Sequence, residues 1–180
     1  MQKNTQNRLT TTKMIATLGL MTALSVAIGW ICKTYLTFGP IRLTFENIPI
    51  ILSGVFYGPV AGAVVAAVSD IVSCITSPNP ALNPIITLGA VLIGVISGII
   101  SKCFSKKRLS FRVIFTVATA HFIGSVLIKS FGLWLFWRYE IPVLLLRIPT
   151  YLLISVCESA IIYLIMKNDS LVALFNKRHD

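Results

Sequence analysis

The run MIATLGLMTALSVAIGWIC, from Met14 to Cys32, carries no charged residue between Lys13 and Lys33. At ~1.5 Å of rise per residue it makes a helix of about 28 Å, close to the hydrocarbon thickness of a bilayer. Lys3, Arg8 and Lys13 ahead of it give it the look of a secretory signal. No convincing small-residue cleavage site follows, so it reads as a retained first span.

Composition extends this reading to the whole chain. The 180 residues are 56% hydrophobic and only 12% charged, against roughly 25% charged in ordinary soluble domains. So few charges could not cover a soluble core, which excludes a cytosolic enzyme, a disordered chain and a secreted disulfide scaffold. Cys32, Cys74, Cys103 and Cys157 lie far apart in or beside apolar runs, with no CxxC pair, and read as small buried hydrophobes.

Working outward from the first span, apolar stretches predict helices over 14–32, 46–57, 59–76, 84–101, 112–136 and 143–166. The second is short and is divided from the third by Gly58-Pro59, a pair suited to a tight turn between helices. The expectation is an all-α membrane protein, one integral domain over 1–180, built as a bundle of six transmembrane helices. A re-entrant hairpin, leaving four full spans, is the alternative. The segment Ser77–Pro84 is expected to be an uncharged loop stiffened by Pro78, Pro80 and Pro84.

The net charge of +10 is explained by topology. Lys3, Arg8, Lys13, Lys102, Lys106, Lys107, Arg108, Arg112, Lys167, Lys177 and Arg178 fall on one side if the first helix leaves the cytoplasm. Only Lys33, Arg42, Lys129, Arg138 and Arg147 fall on or near the other. Both termini are therefore expected in the cytoplasm of a cell membrane, and the basic excess is not a nucleic-acid footprint.

The sequence contains no GxxxxGK[ST] phosphate loop, no HExxH and no GxSxG, and no nucleophile is presented with a base. An enzyme is not expected, and neither is a cofactor or a metal. Polar residues inside apolar runs are costly in lipid, and each calls for a reason. Asp70, His121, Lys129, Arg147 and Glu158 are such residues. Arg147, Tyr151 and Glu158 are spaced to share one helical face. Toward the outer side, Arg42, Phe45, Asn83, Lys129, Trp134, Arg147 and Tyr151 gather at one level. Aromatic residues at that depth also form interfacial belts. Cations, ring faces and an amide together suit a flat, anionic, hydrogen-bonding ligand. Gly19, Ala23 and Ala27 recur every four residues on the first helix, a stripe that lets another helix approach closely.

The run Ile41-Arg42-Leu43-Thr44-Phe45-Glu46-Asn47-Ile48-Pro49-Ile50, followed by Gly54, Gly58-Pro59, Gly62 and Ser69-Asp70, resembles the substrate-binding S components of energy-coupling factor (ECF) vitamin transporters. Leu146-Arg147-Ile148-Pro149-Thr150-Tyr151, with Glu158 beyond it, is similar to the folate-specific branch. The resemblance implies a six-helix bundle that captures a vitamin at its outer face. It also implies a transmembrane coupling subunit and two cytoplasmic ATPases as partners, with ATP hydrolysis outside this chain. In the family an AxxxA pattern on the first helix meets the coupling subunit, here Ala23-Leu24-Ser25-Val26-Ala27 beside Gly19. Folate fits the constellation: a pterin has a flat face and a donor–acceptor edge, and its glutamyl tail has two carboxylates for Lys129, Arg42 or Arg147. An S component for pantothenate or a thiamine precursor, or a solitary ion-coupled carrier using Asp70 and Glu158, stands as the alternative.

Overall fold

The computed structural model describes residues 2–38, 41–76 and 83–176, with side chains over 12–37, 43–76 and 83–173. Most of the proline-rich loop and the Arg42 side chain lie outside these residues. The described residues are helical apart from short connections and a two-residue ladder in the first loop. Helix α1 covers Gln2–Tyr35, and strands β1 (Thr37–Phe38) and β2 (Ile41–Arg42) pair antiparallel. Helices α2 (Asn47–Tyr57), α3 (Pro59–Ile75) and α4 (Pro84–Cys103) follow. Next come α5 (Leu109–Ala120), a π-helical segment (His121–Lys129) and α6 (Ser130–Trp137), which run on as one rod. Helix α7 (Ile141–Lys167) and a short α8 (Asp169–Asn176) complete the chain. The π segment, the ladder and α8 are not visible in the hydropathy pattern.

Local chemistry sets the helix ends. Gly58 adopts φ 96° and Pro59 opens α3 directly behind it, so α2 and α3 form a hairpin with almost no loop. Asn83 caps α4: its Oδ1 accepts from the backbone N–H of Ile85 at 3.0 Å and of Ile86 at 3.4 Å, ahead of Pro84. Pro149 sits inside α7 and removes one backbone donor, which membrane helices tolerate when neighbouring groups compensate.

Among the described residues, four helices are long and apolar enough to cross a membrane: Thr12–Tyr35, Pro84–Cys103, Leu109–Trp137 and Ile141–Lys167. Large side chains such as Leu20, Trp30, Leu88, Phe122, Leu152 and Leu164 face outward on them, as expected of a surface solvated by lipid. Inside, Ile51, Val65, Ile93, Val117 and Ile162 form a core shared by α2, α3, α4, α5 and α7. The α2–α3 hairpin lies very close to α4. A Cβ on Gly62 would come within 2.5 Å of the Gly94 carbonyl oxygen, and one on Gly98 within 2.5 Å of the Pro59 nitrogen. Small residues here replace side-chain packing with backbone contact.

The hairpin also sets the depth of the first loop. Its turn meets the end of α4 near Lys102, beside the basic loop 103–108. Helix α2 has 11 residues, a rise of about 16 Å from that basic end. Its N-terminus, and the loop feeding it, therefore lie near the middle of the bundle.

Candidate functional site

The interior polar groups stand where the π segment meets α7. Bonding i→i+5 gives a π-helix more than four residues per turn, so positions four apart lie close to one line. His121, Ser125 and Lys129 occupy that line, and all three are buried. His121 Nε2 lies 2.6 Å from Glu158 Oε2 on α7, and its Nδ1 lies 3.1 Å from Ser125 Oγ. About three turns of α7 further from the basic end, the Arg147 Nη2 group donates to the Tyr151 hydroxyl at 3.2 Å and to the Ser125 carbonyl at 3.4 Å. The guanidinium carbon sits 5.1 Å from the centre of the Tyr151 ring, within cation–π range. That ring is 5.7 Å from the His121 ring. A connected array thus runs Arg147–Tyr151–His121–Glu158, with Ser125 bridging to the π segment.

The array is incompletely satisfied. Arg147 Nε, Glu158 Oε1 and both amide atoms of Asn47 are buried without a hydrogen-bond partner among the described residues. Buried polar atoms are normally paired, so several orphans in one interior mark a place built for more than packing.

The structure brings some expected residues together and separates others. Arg147 and Tyr151 are in contact, and Lys129 continues the line of His121 and Ser125. Lys129 is 7% exposed, and its stem lies against Gly89 of α4, where a Cβ would meet Lys129 Cγ at 2.7 Å. Asn83 is buried and committed to the protein: beyond capping α4, its Nδ2 donates to the Gly132 carbonyl at 3.3 Å. Phe45 is half-buried against the core, and Trp134 is exposed beside Phe131. Asp70 accepts from Thr87 Oγ at 2.6 Å, a tie between α3 and α4. Gly19, Ala23 and Ala27 all face outward, and nothing lies within 4 Å of a Cβ placed on Gly19.

Asn47 and Ser125 were not singled out from the sequence. The signal for Asn47 was present: an amide directly before an apolar run, in a stretch already notable as Phe45-Glu46-Asn47-Ile48-Pro49. The described residues contain no group of three or more His, Cys, Asp or Glu that could hold a metal ion.

An apolar outer surface around an interior line of cations, rings and orphaned polar atoms defines a helical membrane protein with a polar heart. The chain belongs to the family of ECF transporter substrate-specific components, which matches residues 13–168. Members of this family are substrate-binding subunits of transporters and not enzymes. Among solved structures, the crystal structure of FolT bound with folic acid is similar, with 24% identity and a TM-score of 0.65. The match covers 91% of this chain and 93% of that one, so the two share a fold along nearly their whole length. No curated protein matches the chain.

Proposed function

We propose that this chain is the folate-binding S component of an ATP-driven vitamin uptake transporter. The observation that carries the reading is the pairing of the Arg147–Tyr151 contact with buried Lys129, inside a fold shared with FolT bound with folic acid. One buried and one half-buried cation suit a ligand with two carboxylates, and the Tyr151 ring suits a flat heterocycle. Arg42, Phe45 and Trp134 complete the proposed outer site, with Arg42 and Phe45 on the loop that enters the bundle, while Asn83 supports it by capping α4.

The chain forms one membrane domain of six helices, with α2 and α3 as the shorter pair. Both termini and the 103–108 loop are cytoplasmic, as the distribution of lysine and arginine requires. The outward stripe Gly19–Ala23–Ala27 meets the coupling subunit, and two cytoplasmic ATPases supply the nucleotide chemistry.

The test is titration of the purified chain in detergent with folate, reduced folates, pantothenate and thiamine. Tight binding of folate alone among the vitamins supports the reading. Binding of pantothenate or thiamine instead keeps the family and changes the substrate. Ligand accumulation by the isolated chain, driven by an ion gradient without ATPases, would overturn the coupled mechanism.

A further inference from the structure

At the basic end of the bundle, α4 and α5 meet in a corner that combines arginine with stacked phenylalanine. Arg108, Phe111, Arg112 and Phe115 are spaced i, i+3, i+4 and i+7, so they share one face of the α5 helix. Phe111 is 50% exposed and Phe115 is 40% exposed, and their rings stack with centroids 5.8 Å apart. Phe104, at the end of α4, joins them at 5.7 Å and 4.9 Å. Arg112 is half-buried on the same face, and its Nε and Nη2 donate to Ser101 Oγ of α4 at 2.9 Å and 2.6 Å. One hydroxyl thus ties the guanidinium down and leaves it donors to spare.

Depth places this corner at a bilayer surface. Helix α4 has 20 residues, about 30 Å of rise, which matches the hydrocarbon thickness, and Ser101 lies in its last turn. The rod Leu109–Trp137 has 29 residues, about 40 Å, so its first turn reaches past the hydrocarbon. Positive charge there is uncompensated. The sequence has no Asp or Glu between Asp70 and Glu140, and Lys106 and Lys107 stand exposed beside Arg108. Asp169 opens α8 toward the same end, yet among the described residues no carboxylate pairs with these lysines or arginines. The helix itself gains nothing from them: cations in a first turn oppose the helix dipole, and α5 has no acidic residue there. Membrane orientation needs only positive charge, not an arginine fork tethered beside stacked rings.

We propose that this corner binds an anionic phospholipid, with the lipid phosphate on the Arg112 guanidinium and Arg108, and an acyl chain along Phe111 and Phe115. A phosphate diester suits a fork that binds oxyanions bidentately, and pinning by Ser101 lowers the freedom lost on binding. The occupant is a lipid and not a free phosphate, because the arginines share their face with an exposed aromatic wall that a soluble ion would leave bare. The site is separate from Arg147 and Lys129 and does not depend on which vitamin the chain carries.

The experiment uses the full chain in neutral detergent and counts bound lipid by native mass spectrometry. The probes are phosphatidylglycerol, phosphatidylcholine with the same acyl chains, and inorganic phosphate as a competitor. The wild-type chain is expected to bind phosphatidylglycerol at least about fivefold more tightly, the worth of one cation at an anionic surface. Arg112→Lys keeps the charge but loses the fork, and should lower that preference. Arg108 is exposed and makes no side-chain contact with the fold, so Arg108→Gln should fold normally and lose about fivefold. Equal wild-type affinity for the two lipids overturns the proposal. So does an equal loss in a Lys106→Gln, Lys107→Gln double variant and an Arg108→Gln, Arg112→Gln one, since charge alone would then suffice. Displacement of the lipid by equimolar inorganic phosphate would make the corner a phosphate site and overturn it as well. Folate titration of the same samples reads the vitamin site separately, so either reading can fail while the other stands.

Discussion

His121 Nε2 and Glu158 Oε2 lie 2.6 Å apart between the π segment and α7, with both residues almost fully buried. Their sequence positions are 37 residues apart, so the contact fixes the rotation of one long helix against the other. Removing one partner of a buried hydrogen bond leaves the other desolvated and unpaired, typically at a cost of ~1–3 kcal/mol. Glu158→Ala is therefore expected to lower the melting temperature of the detergent-solubilised chain substantially. Glu158→Gln, which keeps a hydrogen-bonding side chain of the same shape, is expected to cost less. Equal melting temperatures for wild type and Glu158→Ala would show that the pair does not hold these helices.

The glycine contacts give a second expectation, independent of any ligand. A Cβ on Gly94 would strike the carbonyl group of Gly62, which is backbone and cannot rotate away. Gly94→Ala must force α3 and α4 apart, and overpacking of this kind costs ~1–3 kcal/mol. Gly19 faces open space, so Gly19→Ala should leave the stability of the isolated chain unchanged. Thermal unfolding followed by loss of the monodisperse chromatographic peak separates the two. A Gly94→Ala protein as stable as wild type would contradict the close packing.

The helical class and the polar residues inside it were legible because lipid penalises each one: Arg147, Tyr151 and Glu158 were placed on one face from spacing alone. The contact between Arg147 and Tyr151 follows from that i,i+4 relation. Three features were not legible, each for a physical reason. The π segment depends on tertiary packing around Gly89 and Gly124 and leaves no mark in hydropathy. The commitment of Asn83 to capping α4 and to Gly132 needs the position of α6, some 50 residues away. The orphaned state of Asn47 depends on what α5 and α7 place near it, which no local pattern encodes.

The outward stripe on α1 leads to a third prediction. If Gly19, Ala23 and Ala27 meet the coupling subunit, Ala23→Leu fills the shallow face that a partner helix must approach. Folate binding by the purified variant should equal wild type, since Ala23 is exposed and remote from Lys129 and Arg147. Co-purification with the coupling subunit and ATP-dependent uptake should both fall. Unimpaired co-purification would assign the stripe to contact with lipid alone.

Topology gives a fourth. With the four native cysteines replaced, Ser105→Cys in the basic loop and Tyr139→Cys between α6 and α7 should face opposite sides of the membrane. Both positions are exposed, so labelling reports sidedness and not burial. A membrane-impermeant maleimide added to intact cells should label the cysteine at 139 and spare the one at 105 until the cells are opened. Labelling of position 105 from outside would invert the orientation argued from lysine and arginine.

Arg147 provides the sharpest test of the outer part of the site. Its Nη2 group is already held by the Tyr151 hydroxyl and the Ser125 carbonyl, while Nε is buried and free. The guanidinium is thus pinned against the Tyr151 ring at one end and still has a donor to give. A planar fork pinned in this way loses little freedom on meeting a carboxylate. A lysine at the same position would keep the charge but neither the fork nor the stacking over the ring. Arg147→Ala is expected to weaken folate binding by at least tenfold, about 1.4 kcal/mol or more, as for loss of a charge-assisted hydrogen bond. Arg147→Lys should recover only part of that loss. Tyr151→Phe keeps the ring and removes one anchor of the fork, so its effect should be the smallest of the three. Titration calorimetry on the three variants measures this order. Full affinity in Arg147→Lys would show that charge alone matters there and that the contact with Tyr151 does not position the arginine.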